Sequence, residues 1–199
     1  MLRTSAIIAT AAVLVACNPA ETGGAPDQQN QAANTVQDHT AGVVGTAAGP
    51  AGALTDGGFV TNAIVGGLYE VEAGRIAAQR STNPAIKSLG EKMVTDHTRA
   101  GDELKPIAAR LNLAVPAALD QRHQGLIDNL RGATDQDFDR VYLQQQEAAH
   151  NETASLLSTY ERMGGQADLK AWATKTVAVV HGHQQLIDRL DEANADAAK

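Results

Sequence analysis

From Gly57 to about residue 193, the apolar residues of this chain recur every three or four positions, a period that leaves little room for anything but packed α-helices. The clearest stretch starts at Pro84. Ile86, Gly90, Met93, His97, Ala100, Leu104, Ile107 and Leu111 follow one another at alternating spacings of four and three, which lays them along one side of a single helix. Only 3% of the 199 residues are aromatic, so Leu, Ile, Val and Ala must fill the core. Small and branched aliphatic side chains of this kind favour closely packed helices over a sheet sandwich.

Punctuation divides the periodic region. A first helix is predicted over 58–80, ended by Ser81-Thr82-Asn83-Pro84, where Asn83 can cap the next helix and Pro84 suits its first position. The second runs from Pro84 to about Leu111, with Pro106 a candidate kink. A short third helix carries Leu119, His123, Leu126 or Ile127, and Leu130 on one side and closes at Gly132. The fourth, capped by Thr134 or Asp135, continues to Met163 before Gly164-Gly165, and the fifth spans about 167–193. The long helices would be roughly 35 to 42 Å at about 1.5 Å per residue. The pattern predicts an all-α fold: an up-and-down four-helix bundle with an additional short helix between the second and third long helices. Gly66-Gly67, inside the first helix, reads as a place of close packing rather than a phosphate loop.

The front of the chain points to export. MLRTSAIIATAAVLVAC has one arginine, a short apolar run and a cysteine, and the run is too short for an ordinary membrane-spanning helix. The tetrad Leu14-Val15-Ala16-Cys17 resembles the bacterial lipobox, in which the cysteine is lipidated and becomes the first residue of the mature protein; a plain secretory signal is the alternative. Asn18 matches the outer-membrane sorting pattern. Residues 1–16 are thus expected to be a lipoprotein signal peptide, 17–56 a lipid-anchored flexible linker rich in Gly, Pro, Ala, Gln and Asn, 57–195 the helical domain and 196–199 a disordered tail. The expected partner is the membrane, reached through the N-terminal lipid anchor, with another envelope protein or a diffusible ligand as a further candidate. A formal charge of −7 and the lack of a basic stripe argue against nucleic acid. Oligomeric state is left open.

Candidate chemistry lies on the buried stripes. His97, His123, His150 and His183 fall on them in four different helices, and His97, His150 and His183 each sit near the middle of a long one. Midpoints of helices of similar length meet in a bundle whatever their direction, so three imidazoles can share one level. Glu147 and His150 form a Glu-x-x-His pair, and Glu70 lies near the midpoint of the first helix. A second Glu-x-x-His pair is missing, because Val94 and Val180 stand three residues before His97 and His183, and this argues against a dinuclear carboxylate site. A mononuclear site for one divalent ion (iron, manganese, zinc or copper) drawn from Glu70, His97, Glu147, His150 and His183 is one reading. The other is a structural polar network that includes Asp96, His123 and Tyr142 and fixes helix register without open chemistry. No nucleophile elbow or spare thiol points to an enzyme, and no catalytic residue is assigned.

From about Gly58 to Leu190 the chain resembles an exported bacterial family, domain of unknown function 4142. The likeness lies in FVTNAIVGGLYEVEAG, MVTDHTRA, LDQRHQGLIDNL, FDRVYLQQQEAAH and the last-helix histidine. The resemblance implies a ferritin-like bundle and marks Glu70, His97, His123, His150 and His183; it implies no established function. Val177-Ala178 replaces the family's usual Leu-Pro, so the last helix is expected to be straighter and His183 displaced.

Overall fold

The computed structural model describes Gly52 and residues 55–197, so the predicted signal peptide, Cys17 and nearly all of the linker lie outside the described residues. The described residues form five helices and no strand: α1 Asp56–Arg80, α2 Pro84–Arg110, α3 Gln121–Gly132, α4 Phe138–Met163 and α5 Ala167–Ala197. None of them is long and apolar enough to cross a membrane. Local chemistry sets most boundaries. The Thr55 and Asp120 side chains accept from Gly58 N and His123 N at the starts of α1 and α3, and Asn83 accepts from Ala85 N ahead of Pro84. Helix α2 ends in a Schellman motif: Asn112 adopts a left-handed φ of 53° while Leu113 N reaches back to Ala108 O. Before α4, the Thr134 hydroxyl binds Asp137, and the helix begins a few residues later than the sequence suggested. Helix α2 runs through Pro106 as a single element, and α5 is likewise unbroken past Val177-Ala178.

Helices α1 and α2 form one hairpin and α4 and α5 the other; α1 also packs on α4, and α2 on α5. The core divides into two apolar clusters. One joins the C-terminal half of α1 (Tyr69, Ala73, Ile76) to the N-terminal half of α2 (Ile86, Met93), to Phe138 and Tyr142 at the start of α4, and to Ile187 late in α5. The other joins Phe59, Val60 and Ile64 to Leu104, Leu157, Tyr160, Leu169 and Val180. Membership of these clusters fixes helix direction. Among the four long helices every packed pair is antiparallel, while α2 and α4 run the same way. Alternation therefore holds around the bundle in space and not strictly in chain order, which refines the up-and-down expectation. The reason is the long connector between α2 and α4. Leu113 packs on the second cluster and Leu119 on the first, so the chain crosses the bundle lengthwise before α4 begins.

Helix α3 closes the first cluster with Leu126, Ile127 and Leu130. Arg80 holds it there by donating to Leu130 O, Arg131 O and Ala133 O at its C-terminal end, with its guanidinium 4.6 Å from the centre of the Phe138 ring.

Helices α1 and α2 approach closely at Gly74 and Gly90, not at Gly66-Gly67 as the sequence suggested. A Cβ on Gly90 would lie 2.6 Å from Gly74 O, whereas nothing lies within 4 Å of one on Gly67. We expect Gly90→Ala to push α1 and α2 apart and lower stability by about 1–3 kcal/mol. Gly101→Ala, in the open interior of α2, should raise it by about 0.5–1 kcal/mol. Urea denaturation of the two variants checks both signs.

Candidate metal centre

A polar layer separates the two apolar clusters. His97 lies between Met93 of the first and Leu104 of the second, and His183 between Val180 and Ile187. His150 enters the same level from α4. The three ring centres are 5.4–5.5 Å apart, and one nitrogen from each ring lies within 4.8 Å of the others. All three side chains are buried, His150 and His183 to 1% exposure. Three helices, α2, α4 and α5, thus supply the convergent imidazoles.

In His150 and His183 the outer nitrogen reveals the tautomer. His150 Nδ1 is 2.9 Å from the carbonyl oxygen of Gln146, a group that only accepts, so Nδ1 carries the proton. His183 Nε2 is 2.9 Å from Asp96 Oδ2, and the ionised carboxylate likewise requires Nε2–H. Asp96 is itself held by Lys92 and Arg99, each at 2.8 Å. Burial and these hydrogen bonds pull Asp96 in opposite directions, and the net result is a carboxyl held below its ordinary range. Burial first, and then the neighbouring imidazoles, push His150 down to about 3 and His97 well below its ordinary value; burial also lowers His183. The three rings are therefore neutral at pH 7. His150 Nε2 and His183 Nδ1 then face each other at 3.3 Å as two lone pairs with no proton between them. Buried His97 Nε2 has no hydrogen-bond partner either.

These atoms suit a cation. Nitrogen ligands at about 2.0–2.1 Å from a tetrahedral zinc are about 3.3 Å apart, the separation found between His150 and His183. The outer nitrogens of both rings already have the acceptors that metal-bound histidines require.

The other sequence-predicted residues fall elsewhere. Glu70 is buried, but its Oε1 lies 3.5 Å from His150 Nδ1, on the side of the ring away from the triad. It is a flanking carboxylate rather than part of the convergent group. Both its oxygens lack hydrogen-bond partners, and burial pushes it up to about 8. Gln146 and Tyr142 beside it also keep unpaired polar atoms, and the Gln146 amide falls short of hydrogen-bond geometry. Glu147 is exposed and outside the triad, because the turn of the helix that buries His150 carries a residue three positions earlier onto the α4–α5 seam. His123 belongs to a separate structural cluster. Its Nδ1 is 2.7 Å from Asp120 and its Nε2 receives Arg122 at 3.0 Å, so both nitrogens are occupied. Of the tyrosines, Tyr69 donates to Gln145 and Tyr160 to Asp56. Missed from sequence were the Gln146 carbonyl and the bracing of Asp96 by Lys92 and Arg99. The latter was legible in principle from its i+4 and i+3 spacing.

The fold and site together define an all-helical bundle with a buried three-histidine layer. The sequence model of the family described as domain of unknown function (DUF4142) matches residues 41–190, and the chain belongs to that family. No curated protein and no solved structure matches it.

Two opposed pH effects follow for the metal-free protein. His150, depressed in the fold, contributes stability that is present above its unfolded value of 6.5 and lost as pH falls towards about 3. Glu70, raised in the fold, contributes stability that is present below its unfolded value of 4.5 and lost as pH rises through about 8. Between pH 6.5 and 8 the Glu70 effect dominates, so metal-free protein should lose stability as pH rises there. Glu70→Gln should remove that loss while leaving the acid-side loss in place. Thermal melting of both proteins against pH, with chelator present, tests this.

Proposed function

We propose that this chain is a cell-envelope lipoprotein whose helical domain holds one divalent transition-metal ion on His97, His150 and His183. The observation that carries the reading is the pair of fixed lone pairs on His150 and His183, 3.3 Å apart, beside the unpartnered His97 Nε2. Three neutral imidazoles with no convergent carboxylate favour zinc or copper over manganese and iron, which the sequence alone left equal. Glu70 and Asp96 lie outside the ligand set. Asp96 orients His183, and Glu70 places a carboxyl beside His150 that can balance cationic charge in the core. No reaction is assigned.

A second reading is favoured by the His183–Asp96 and His150–Gln146 bonds, which also suit a purely structural polar layer fixing helix register. It ranks second because it leaves His97 Nε2 unpaired and sets two lone pairs against each other. The location rests on Leu14-Val15-Ala16-Cys17 and the polar stretch that follows; Asn18 favours the outer membrane.

Protein purified without a histidine tag and loaded with zinc or copper should carry about one ion per chain. His150→Ala should abolish this and His123→Ala should not. Asp96→Asn should weaken affinity by about 10–100-fold. Background metal after reconstitution with zinc, copper, iron and manganese would leave the structural layer as the better account. For the anchor, intact mass of the mature protein from a Gram-negative host should give an N-terminus at Cys17 bearing acyl chains; an unlipidated terminus elsewhere rejects the lipoprotein.

A further inference from the structure

His150 and His183 are almost sealed from solvent, so an ion bound between them must pass a barrier of protein. On the outer side of the same α4–α5 seam is a groove of about 410 Å³ lined by Glu147, Asn151, His181, Gln184, Ile187 and Asp188, among others. Its walls are two facing helical stripes. Glu147 and Asn151 are one turn apart on α4; His181, Gln184 and Asp188 follow at i, i+3 and i+7 on α5. Glu147, His181 and Asp188 are exposed, offering two carboxylates and an imidazole to a cation from solution. Ile187, buried to 1% exposure, lies one turn after His183 on the same face of α5, so the groove reaches down to the side chain stacked beside a triad histidine.

One hydrogen bond spans the seam at this level. Gln184 Nε2 donates to Asn151 Oδ1 at 2.7 Å, and these two residues directly follow His183 and His150 in sequence. Breaking this neutral, exposed pair costs little compared with separating apolar core.

Resting on the metal reading above, we propose that the groove is the route by which the ion reaches the triad. Glu147, His181 and Asp188 capture a divalent transition-metal ion from solution, and the Asn151–Gln184 bond is the gate through which it passes to His150 and His183. The groove residues are oxygen donors and one imidazole set on separate turns, and among the described residues only the triad forms a ready convergent group. That arrangement suits brief capture at the surface and retention inside. A residue on the route lowers the barrier in both directions, so removing it slows uptake and release alike and leaves affinity unchanged.

The test uses the full chain, stripped of metal, with Zn²⁺ alone supplied from solution and followed by competition with a chromophoric chelator. Glu147→Gln/His181→Gln/Asp188→Asn should slow uptake and release by about tenfold, the low end of what a focused charged cleft gives, while final occupancy stays at the wild-type level. Asn151→Ala/Gln184→Ala should speed both. Uptake by the triple variant at the wild-type rate overturns the route, and so does loss of its final occupancy, since the groove would then be part of the holding site. An unchanged rate in the double variant overturns the gate. Should the wild-type chain take up no Zn²⁺, the same assay is run with Cu²⁺; failure with both is a different result, and it rejects the metal reading itself.

Discussion

The bond from His183 to Asp96 and the bond from His150 to the Gln146 carbonyl together fix two imidazoles in complementary tautomers, and much of the bundle is arranged around that fact. Each bond uses the nitrogen that points away from the centre and turns a bare lone pair inward. The layer sits where the apolar core is interrupted, between a cluster closed by α3 and a cluster built on Phe59, Tyr160 and Trp172. An interrupted core gives up apolar burial at its centre, and its polar groups are costly unless paired. Helix register is therefore tightly constrained: sliding α5 by one turn against α2 would separate His183 from Asp96 and leave the buried imidazole N–H without its acceptor.

The rigid supports of the layer come from ordinary helix chemistry. Lys92, Asp96 and Arg99 lie on successive turns of α2, so the acceptor for His183 is held from both ends of its own helix. The Gln146 carbonyl is the i−4 partner of His150 on its own helix and comes with the backbone. On the other side of the ring, Glu70, Tyr142 and Gln146 form a buried polar group whose unpaired atoms make it the least settled part of the interior. Glu70 and His150 are in contact yet pull stability in opposite directions with pH, one through a proton it keeps and the other through a proton it refuses.

Much of this was legible along the chain. Asn83 and Pro84 mark the start of α2 because a cap and a fixed φ are local properties, and the spacing of Met93, His97 and Leu104 turns His97 inward for the same kind of reason. The meeting of His97, His150 and His183 followed from their mid-helix positions. Glu147 misled because i and i+3 residues share a helix face only loosely, and the boundary between core and solvent happened to pass between it and His150. Gly66-Gly67 misled similarly: a glycine pair permits close approach, but which glycines are used depends on where the neighbouring helix crosses, and that is at Gly74 and Gly90.

The sequence by itself determined the helices, their buried faces, the level at which three histidines lie and the family to which the chain belongs, because periodicity, capping and motif spacing are all short-range. The tertiary structure decided which nitrogen of His150 and of His183 points inward, that Glu70 flanks the triad and Glu147 does not reach it, that α2 and α4 run parallel, and that a polar groove lies outside His150 and His183. Those outcomes depend on the rotation and offset of one helix against another. Packing of side chains far apart in sequence sets these, and no local pattern encodes them.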